Sequence, residues 1–335
     1  MRRQRPLKNL QRPLITQIFK NNYTDLVRII YLCNLDFYLR NQRFLTFSEI
    51  SDSFGIYLGK GREMTRLSGE LLIDIDKKLA IYDAELLQKT GSTLRQIASR
   101  AADVTEVEVC NGVNSTTVAV IPVTAGKGVI KGFVQAVQSI VSYIGFTSFI
   151  TRTCDVAGLA EGIKRGAKVI FLADDNCFVA VNLPYELVVD NAEATGRGYV
   201  AALECLVGGL GNRRVLVVGA GRVGRSAASS LKKFGAKVAV FDIDQTRAEI
   251  LAREYGVVVE SNLKEALHQY PILVDASPAS GIIQAEHIKP DTAIAACGIP
   301  IGLSDKAYSL VQERLVHDPL QIGVATMLVM AVCCR

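Results

Sequence analysis

The chain of 335 residues contains no tryptophan, only three histidines, and no Cys-x-x-Cys pair among its eight cysteines. Cys33, Cys110, Cys154, Cys177, Cys205, Cys297, Cys333 and Cys334 are scattered without histidines nearby. They read as buried thiols of a reducing compartment, and no metal site is expected. No apolar run approaches the roughly 18 residues of a membrane span, and the opening MRRQRPLKNLQRPLITQIF lacks the continuous apolar core of a signal peptide. A cytoplasmic location away from membranes is the expectation. A content of 49% hydrophobic and 21% charged residues is ordinary for a globular protein and gives no reason to invoke disorder or a fibrous class. The net charge of +5 is unevenly placed: residues 1–63 hold 11 Lys and Arg against 5 Asp and Glu, and residues 64–335 hold 27 against 28. That basic segment carries no helix-turn-helix, zinc or RNA-binding signature, so nucleic acid is not the expected partner.

The length suits two or three domains, each with its own core. From residue 64 to 105, Leu67, Leu71, Leu72, Ile75, Leu79, Leu86 and Leu87 recur at helical spacing, and Gly91 followed by Ser92 fits a stop and a fresh N-cap. Two helices are expected, making 64–106 a helical segment. Beyond Val107, short β-branched runs alternate with helical stretches: VAVIPV (118–123), a helix near 130–144, TSFIT (147–151), a helix near 156–165, and KVIFLAD (168–174). Such alternation predicts a mostly parallel sheet with crossover helices over 107–193. A helix near 194–208 leads through VGGLGN (207–212), read as a hinge, into a second α/β unit within 194–335. The fold class is therefore α/β: an N-terminal helical bundle, a central α/β substrate domain and a C-terminal doubly wound domain of Rossmann type.

The strongest local signal is RRVLVVGAGRVGRSAASSLKKFGAKVAVFDID (213–244). A strand runs into Gly219-Ala220-Gly221-Arg222-Val223-Gly224, a helix rich in small residues follows, and the next strand ends in Asp242 and Ile243. The first glycine permits the turn, the second admits a pyrophosphate, and the third lets helix and strand pack closely. Asp242 stands where a carboxylate meets the adenine ribose and repels a 2′-phosphate, so NAD is favoured over NADP. Downstream, PILVDASP (271–278) and TAIAACGIP (292–300) place Ser277, Pro278, Cys297 and Gly298 on loops expected to approach the nicotinamide.

Three polar clusters lie in the middle segment: IPVTAGKG (121–128), FLADDN (171–176) and VDNAEATGRGY (189–199). Asp174 and Asp175 are acceptors suited to an ammonium group, and Thr124, Gly126 and Asn191 offer hydroxyl, amide or backbone contacts. Turns and helix caps use the same residues, and on the residues alone both readings stay open. The three histidines, His268, His287 and His317, match none of these clusters and are assigned no catalytic role.

The ordered set IPVT-x-G-x-G, GF-x-SF, DV-x-G, GAK, ADDN, TG, LVVG-x-G-x-VG and GIP resembles the pyrrolysine synthase (PylD) family over residues 64–330. The resemblance implies a homodimer acting on a small dipeptide-like amino acid, lysine joined through its side-chain nitrogen to 3-methyl-D-ornithine. Carried over by position, it implies substrate contacts at Leu67, Thr124, Ala125, Gly126 and Asp174. Asn176 and Thr195 join them as substrate-binding candidates from the polar clusters, and Asp174, Asp175 and Asn191 are the catalytic candidates. Family members can carry serine where this chain has Ala125. The implied chemistry is hydride loss to NAD from the carbon bearing the ornithine side-chain amine. The resulting imine is hydrolysed to an aldehyde with release of ammonia, and the α-amine closes a five-membered ring.

Two other readings stay open: an amino-acid or shikimate-type dehydrogenase dependent on Lys127, and an NAD(H)-sensing regulator whose basic first 63 residues hold nucleic acid. The resemblance begins at Met64, and codons for Gly61, Arg62 and Glu63 can spell a purine-rich ribosome-binding stretch. Residues 1–63 are thus expected to be dispensable or untranslated. The alternative is a genuine extension in which FLTFSEISDSFGIYLG (44–59), with apolar residues at helical spacing, packs on the body or binds nucleic acid.

Overall fold

The computed structural model describes residues 67, 69–72 and 74–333. The expectations for 1–63, including the segment 44–59, lie outside the described residues.

A short 3-10 turn at Gly69–Leu72 precedes α1 (Ile75–Thr90). Asp74 between them has a left-handed φ of 59°, so no single helix runs through the leucine spacing. Gly91 ends α1 as expected, at φ 70° with its N–H donated to Leu87 O. Thr93, rather than Ser92, caps α2 (Leu94–Ala102) in a reciprocal box with Gln96. Thr105 and Glu108 repeat that box and start α3 (Glu106–Ser115), where the sequence was expected to turn to strands.

Next come β1 (Thr117–Ile121), α4 (Phe133–Tyr143), β2 (Thr147–Ile150), α5 (Asp155–Lys164) and β3 (Val169–Ala173). Then β4 (Phe178–Asn182) and β5 (Leu187–Asp190) complete a sheet of order β2-β1-β3-β4-β5. The expected mostly parallel sheet is mixed: β1 pairs parallel with β2 and β3, whereas β3, β4 and β5 are antiparallel. The cause is local. Asp174 donates its N–H to Cys177 O at 2.9 Å, while its Oδ1 accepts from the backbone N–H of Asn176 and Cys177 at 2.8 Å each. ADDN is therefore a hairpin turn, and it folds β4 back along β3.

Helix α6 (Asn191–Val207) joins this sheet to the second one. There β6 (Arg214–Val218), α7 (Arg222–Lys233), β7 (Lys237–Phe241), α8 (Gln245–Tyr255), β8 (Val258–Val259) and α9 (Leu263–Gln269) are followed by β9 (Ile272–Asp275), β10 (Ala293–Ala296), α10 (Asp305–Val311) and β11 (Leu315–Val316). The order is β11-β10-β9-β6-β7-β8, with every neighbouring pair parallel. This is the doubly wound dinucleotide-binding order. The run Val215–Val218 is buried throughout, as a strand covered by helices on both faces must be.

The last helix, α11 (Gln321–Cys333), leaves this sheet and packs on α2, α4, α6, β4 and β5 of the first half, with Gln321 through Ala331 all buried. The thiols are not the buried set expected: among the described residues Cys110 is exposed and Cys154, Cys177, Cys205, Cys297 and Cys333 are half-buried. Among the described residues no helix is long and apolar enough to cross a membrane.

Candidate functional site

The glycine turn has the three constraints that its spacing suggested. Gly219 sits at φ 100°, and a Cβ there would lie 2.9 Å from Ala276 O. A Cβ at Gly224 would lie 1.8 Å from Gly219 O, whereas one at Gly221 would meet nothing within 4 Å. The turn is thus closed on two sides and open on the third. The N-terminus of α7 behind it has no side-chain cap, so its first N–H groups face that open side with the positive end of the helix dipole.

At the end of β7, Asp242 Oδ2 accepts from Ala220 N at 2.6 Å and Oδ1 accepts from Asp244 N at 2.8 Å. Asp242, Ile243, Asp244, Gln245 and Arg247 line an open depression beside it, into which Ile243 projects 86% exposed. Each carboxylate oxygen keeps a second acceptor site. An uncrowded helix N-terminus with a carboxylate at the neighbouring strand end is a donor and acceptor set that fits the phosphates and ribose of a dinucleotide.

The loops after β9 and β10 close the other side. Ser277 donates its N–H and Oγ–H to Asp275 Oδ1 at 3.2 and 2.9 Å, and Gly302 donates its N–H to Oδ2 at 2.9 Å. Burial raises the Asp275 carboxyl above its usual range against the pull of these bonds. The Cys297 thiol donates to Asp275 O at 3.3 Å, and burial pushes its pKa far up, so it is an inert packing group rather than a nucleophile. Gly298 is obligatory, because a Cβ there would lie 2.0 Å from Ser277 O. Ser277, Cys297 and Gly298 thus stand at the carboxyl edge beside the glycine turn, with Pro278 exposed next to them.

In the first half, the loop after β1 and the ADDN turn interlock. Lys127 N donates to Asp175 Oδ2 at 2.7 Å, and a Cβ on Gly126, at φ 67°, would lie 2.1 Å from that oxygen. Thr124 donates its N–H and Oγ–H to Asp155 at 2.8 and 2.5 Å, which ties the loop to the start of α5. Ala125 is half-buried between them. Asp174 Oδ1 holds the hairpin, while its Oδ2 receives no bond from the described residues and remains available to a cationic group. Asn176 is exposed at the tip of the turn.

Asn191 and Thr195 are placed elsewhere, toward α11. Asn191 Nδ2 donates to Met327 Sδ at 3.3 Å, and Thr195 Oγ1 lies 2.8 Å from where a Gly323 Cβ would stand. Leu67 is half-buried against the core.

The two halves meet at α6 and α7. Arg222, the first residue of α7, pairs with Asp190 at 2.5 Å, and Ser226 Oγ donates to Glu193 O at 2.7 Å. Asp190 itself caps α6 by accepting from Ala192 N and Glu193 N. Gly196 permits the crossing, since its Cβ would lie 2.7 Å from Val223 O. One further residue reaches this edge without a signal in its local sequence. His317 follows β11 directly, and its Nδ1 lies 2.8 Å from Ala296 O at the end of β10.

Residues 72–189 match the family described as pyrrolysine biosynthesis protein PylD, N-terminal domain, and residues 198–309 match the NAD binding domain of S-adenosyl-L-homocysteine hydrolase. The chain is 31% identical over 258 residues to the pyrrolysine synthase of Methanosarcina acetivorans, an alignment covering 75% of this chain and 98% of that protein. It belongs to the pyrrolysine synthase family. The Methanosarcina barkeri pyrrolysine synthase is 30% identical over 79% of this chain and 97% of its own length. Among solved structures, shikimate dehydrogenase of Aquifex aeolicus aligns over 65% of this chain and 92% of its own with 18% identity and a TM-score of 0.46. The pyrrolysine synthase resemblance carried by the ordered motifs is thereby confirmed, and the chain is a member of that family with an NAD-binding domain.

Proposed function

We propose that this chain uses NAD to oxidise the ornithine side-chain amine of lysine-Nε-(3-methyl-D-ornithine), with release of ammonia and closure to pyrrolysine. The observation that carries the reading is the ADDN turn. It lies inside the segment matching the PylD N-terminal domain, and it presents one unbonded carboxylate oxygen of Asp174 above a loop locked by Asp175 and Gly126. A carboxylate oxygen held in this way binds an ammonium well, because the turn has already fixed its position.

Bound NAD would supply the hydride acceptor. Asp242 supports NAD over NADP, since its negative charge at the ribose end opposes a 2′-phosphate. Thr124, Ala125 and Gly126 belong to the loop that interlocks with the turn and extend the same surface.

Mass spectrometry of the product formed from the lysine–methylornithine dipeptide and NAD tests the reaction directly. Asp174→Asn tests the role of the turn, because an amide oxygen still accepts from Asn176 and Cys177 while the charge is gone. A charge-assisted bond of about 1.5–3 kcal/mol implies a fall in kcat/KM of roughly 10- to 150-fold with NAD affinity unchanged. Wild-type kcat/KM in Asp174→Asn would leave Asp174 as a turn residue only.

A further inference from the structure

An amine oxidised at its carbon needs a free nitrogen lone pair, because that pair forms the C=N bond as hydride departs. A lysine-like amine keeps its extra proton up to about pH 10.4, and a carboxylate beside it tightens that hold. Asp174 therefore suits binding and opposes deprotonation. The proton requires a neutral acceptor at the cofactor side of the cleft.

Of the histidines, His268 and His287 meet edge to face with ring centroids 5.0 Å apart, and His287 Nδ1 accepts from Gln284 N. His317 stands apart from them, where the chain crosses from the nucleotide sheet back to the first half. The oxygen of Ala296 can only accept, so the His317 Nδ1 at 2.8 Å carries the proton and a neutral ring keeps its lone pair on Nε2. No described residue bonds Nε2, and the residue is half-buried. The carbonyl that holds the ring belongs to the residue immediately before Cys297 and Gly298, on the carboxyl edge at which this fold receives its cofactor.

Two carboxyls, a thiol and two tyrosines surround this part of the edge. Asp275 at the end of β9 and Asp318 next in sequence both interact electrostatically with His317. Cys297 of the β10 edge lies beside the two carboxyls. Tyr82 of α1 donates to Asp318 Oδ2 at 2.8 Å, and Tyr199 of α6 donates to Asp318 O at 2.6 Å.

We propose that His317 is the catalytic base of this chain, a role that rests on the amine-oxidation reading above. One N–H proton of the substrate ammonium passes to Nε2, and the nitrogen pair so freed becomes the second bond of C=N. A bound oxidised nicotinamide dinucleotide would take the C–H electron pair as hydride. The products are a protonated imine, the reduced dinucleotide and an imidazolium that returns its proton to solvent.

The first test needs no substrate. In histidine-15N spectra of the full chain, assigned by comparison with His317→Asn, the His317 signal should show a protonated Nδ1 and a bare Nε2, and Nε2 should shift when NAD is added. An Nε2–H tautomer, or an Nε2 indifferent to NAD, overturns the proposal. The second test uses the dipeptide. His317→Asn keeps a donor for Ala296 O, so its melting temperature and NAD affinity should match the wild type. Its kcat should fall on the order of 100-fold and lose the acid limb of its pH profile. Exogenous imidazole should restore part of the rate of His317→Ala, which a purely structural residue would not allow. A kcat of His317→Asn within about threefold of wild type, or an unchanged acid limb, also overturns it. Failure of the wild type to convert the dipeptide would refute the substrate reading instead, and the spectra would still decide whether His317 presents a bare nitrogen to the cofactor.

Discussion

At the end of β7 the carboxylate of Asp242 faces two ways, bracing the glycine turn through Ala220 N and lying open toward the depression beyond Ile243. The two duties separate by substitution. Asp242→Asn keeps an acceptor for Ala220 N, whereas Asp242→Ala removes the brace and the charge together. Loss of hydrogen bonds from a charged group predicts a roughly tenfold or greater weakening of NAD binding in Asp242→Ala, with a smaller effect in Asp242→Asn. Adding Ile243→Arg to Asp242→Ala should admit NADP, because position 243 points into the depression and an arginine there offers a phosphate fork. Fluorescence titration with both cofactors measures this, and unchanged NAD affinity in Asp242→Ala removes the ribose role. The glycines and Asp242 were legible in the sequence because backbone geometry alone dictates their spacing. The partners of the substrate loop were not: Thr124 meets Asp155 across 31 positions and Lys127 meets Asp175 across 48. His317 is a similar case, since only the pairing of β10 with β11 brings it to Ala296.

Helices and strands were legible to the extent that they carry their own signals. Gly91 marked its helix end, and the Thr105 to Glu108 capping box was a readable start for α3 that the β-branched residues around it obscured. Strands β4 and β5 are short, and they are joined to β3 through a turn whose acids also resemble a binding cluster, so their antiparallel course emerges only from the hydrogen bonds of Asp174. The crossing of α6 on α7 is another feature of contact rather than pattern. A Cβ on Gly196 would lie 2.6 Å from Ser226 Cβ and 2.7 Å from Val223 O, and the latter is backbone in the first turn of α7. Gly196→Ala should therefore push the two helices apart, at a cost of about 1–3 kcal/mol, and should weaken NAD binding by displacing the helix that faces its phosphates. Thermal unfolding and NAD titration check both effects. A variant as stable as the wild type would mean that the crossing relaxes freely and does not position the glycine turn.

On the scale of the whole molecule, α11 decides how the two halves share stability. Sequence adjacency assigned residues 321–333 to the nucleotide half, yet every residue from Gln321 to Ala331 is buried, and the helix packs on α2, α4, α6, β4 and β5. Its apolarity on all sides was the available signal, because a helix hydrophobic all round must lie inside a core rather than on a sheet face. The chain reaches it through Asp318, whose side chain accepts from Tyr82 and whose backbone bonds Tyr199 in both directions. The helix that fills the first half's core thus follows the nucleotide sheet in the chain, so the two halves are expected to unfold together. Met327 tests that coupling: it is fully buried on α11, and its sulfur accepts from Asn191. Met327→Ala should cost about 2–5 kcal/mol through the cavity it leaves. If the coupling holds, the loss will appear equally in hydrogen exchange of residues 94–102 in the first half and 272–275 in the nucleotide sheet, because the most protected amides of both open only in the global transition. Protection lost in 94–102 while 272–275 remains at wild-type levels would mean that the nucleotide sheet stands alone, and the returning helix would then secure only the half it covers.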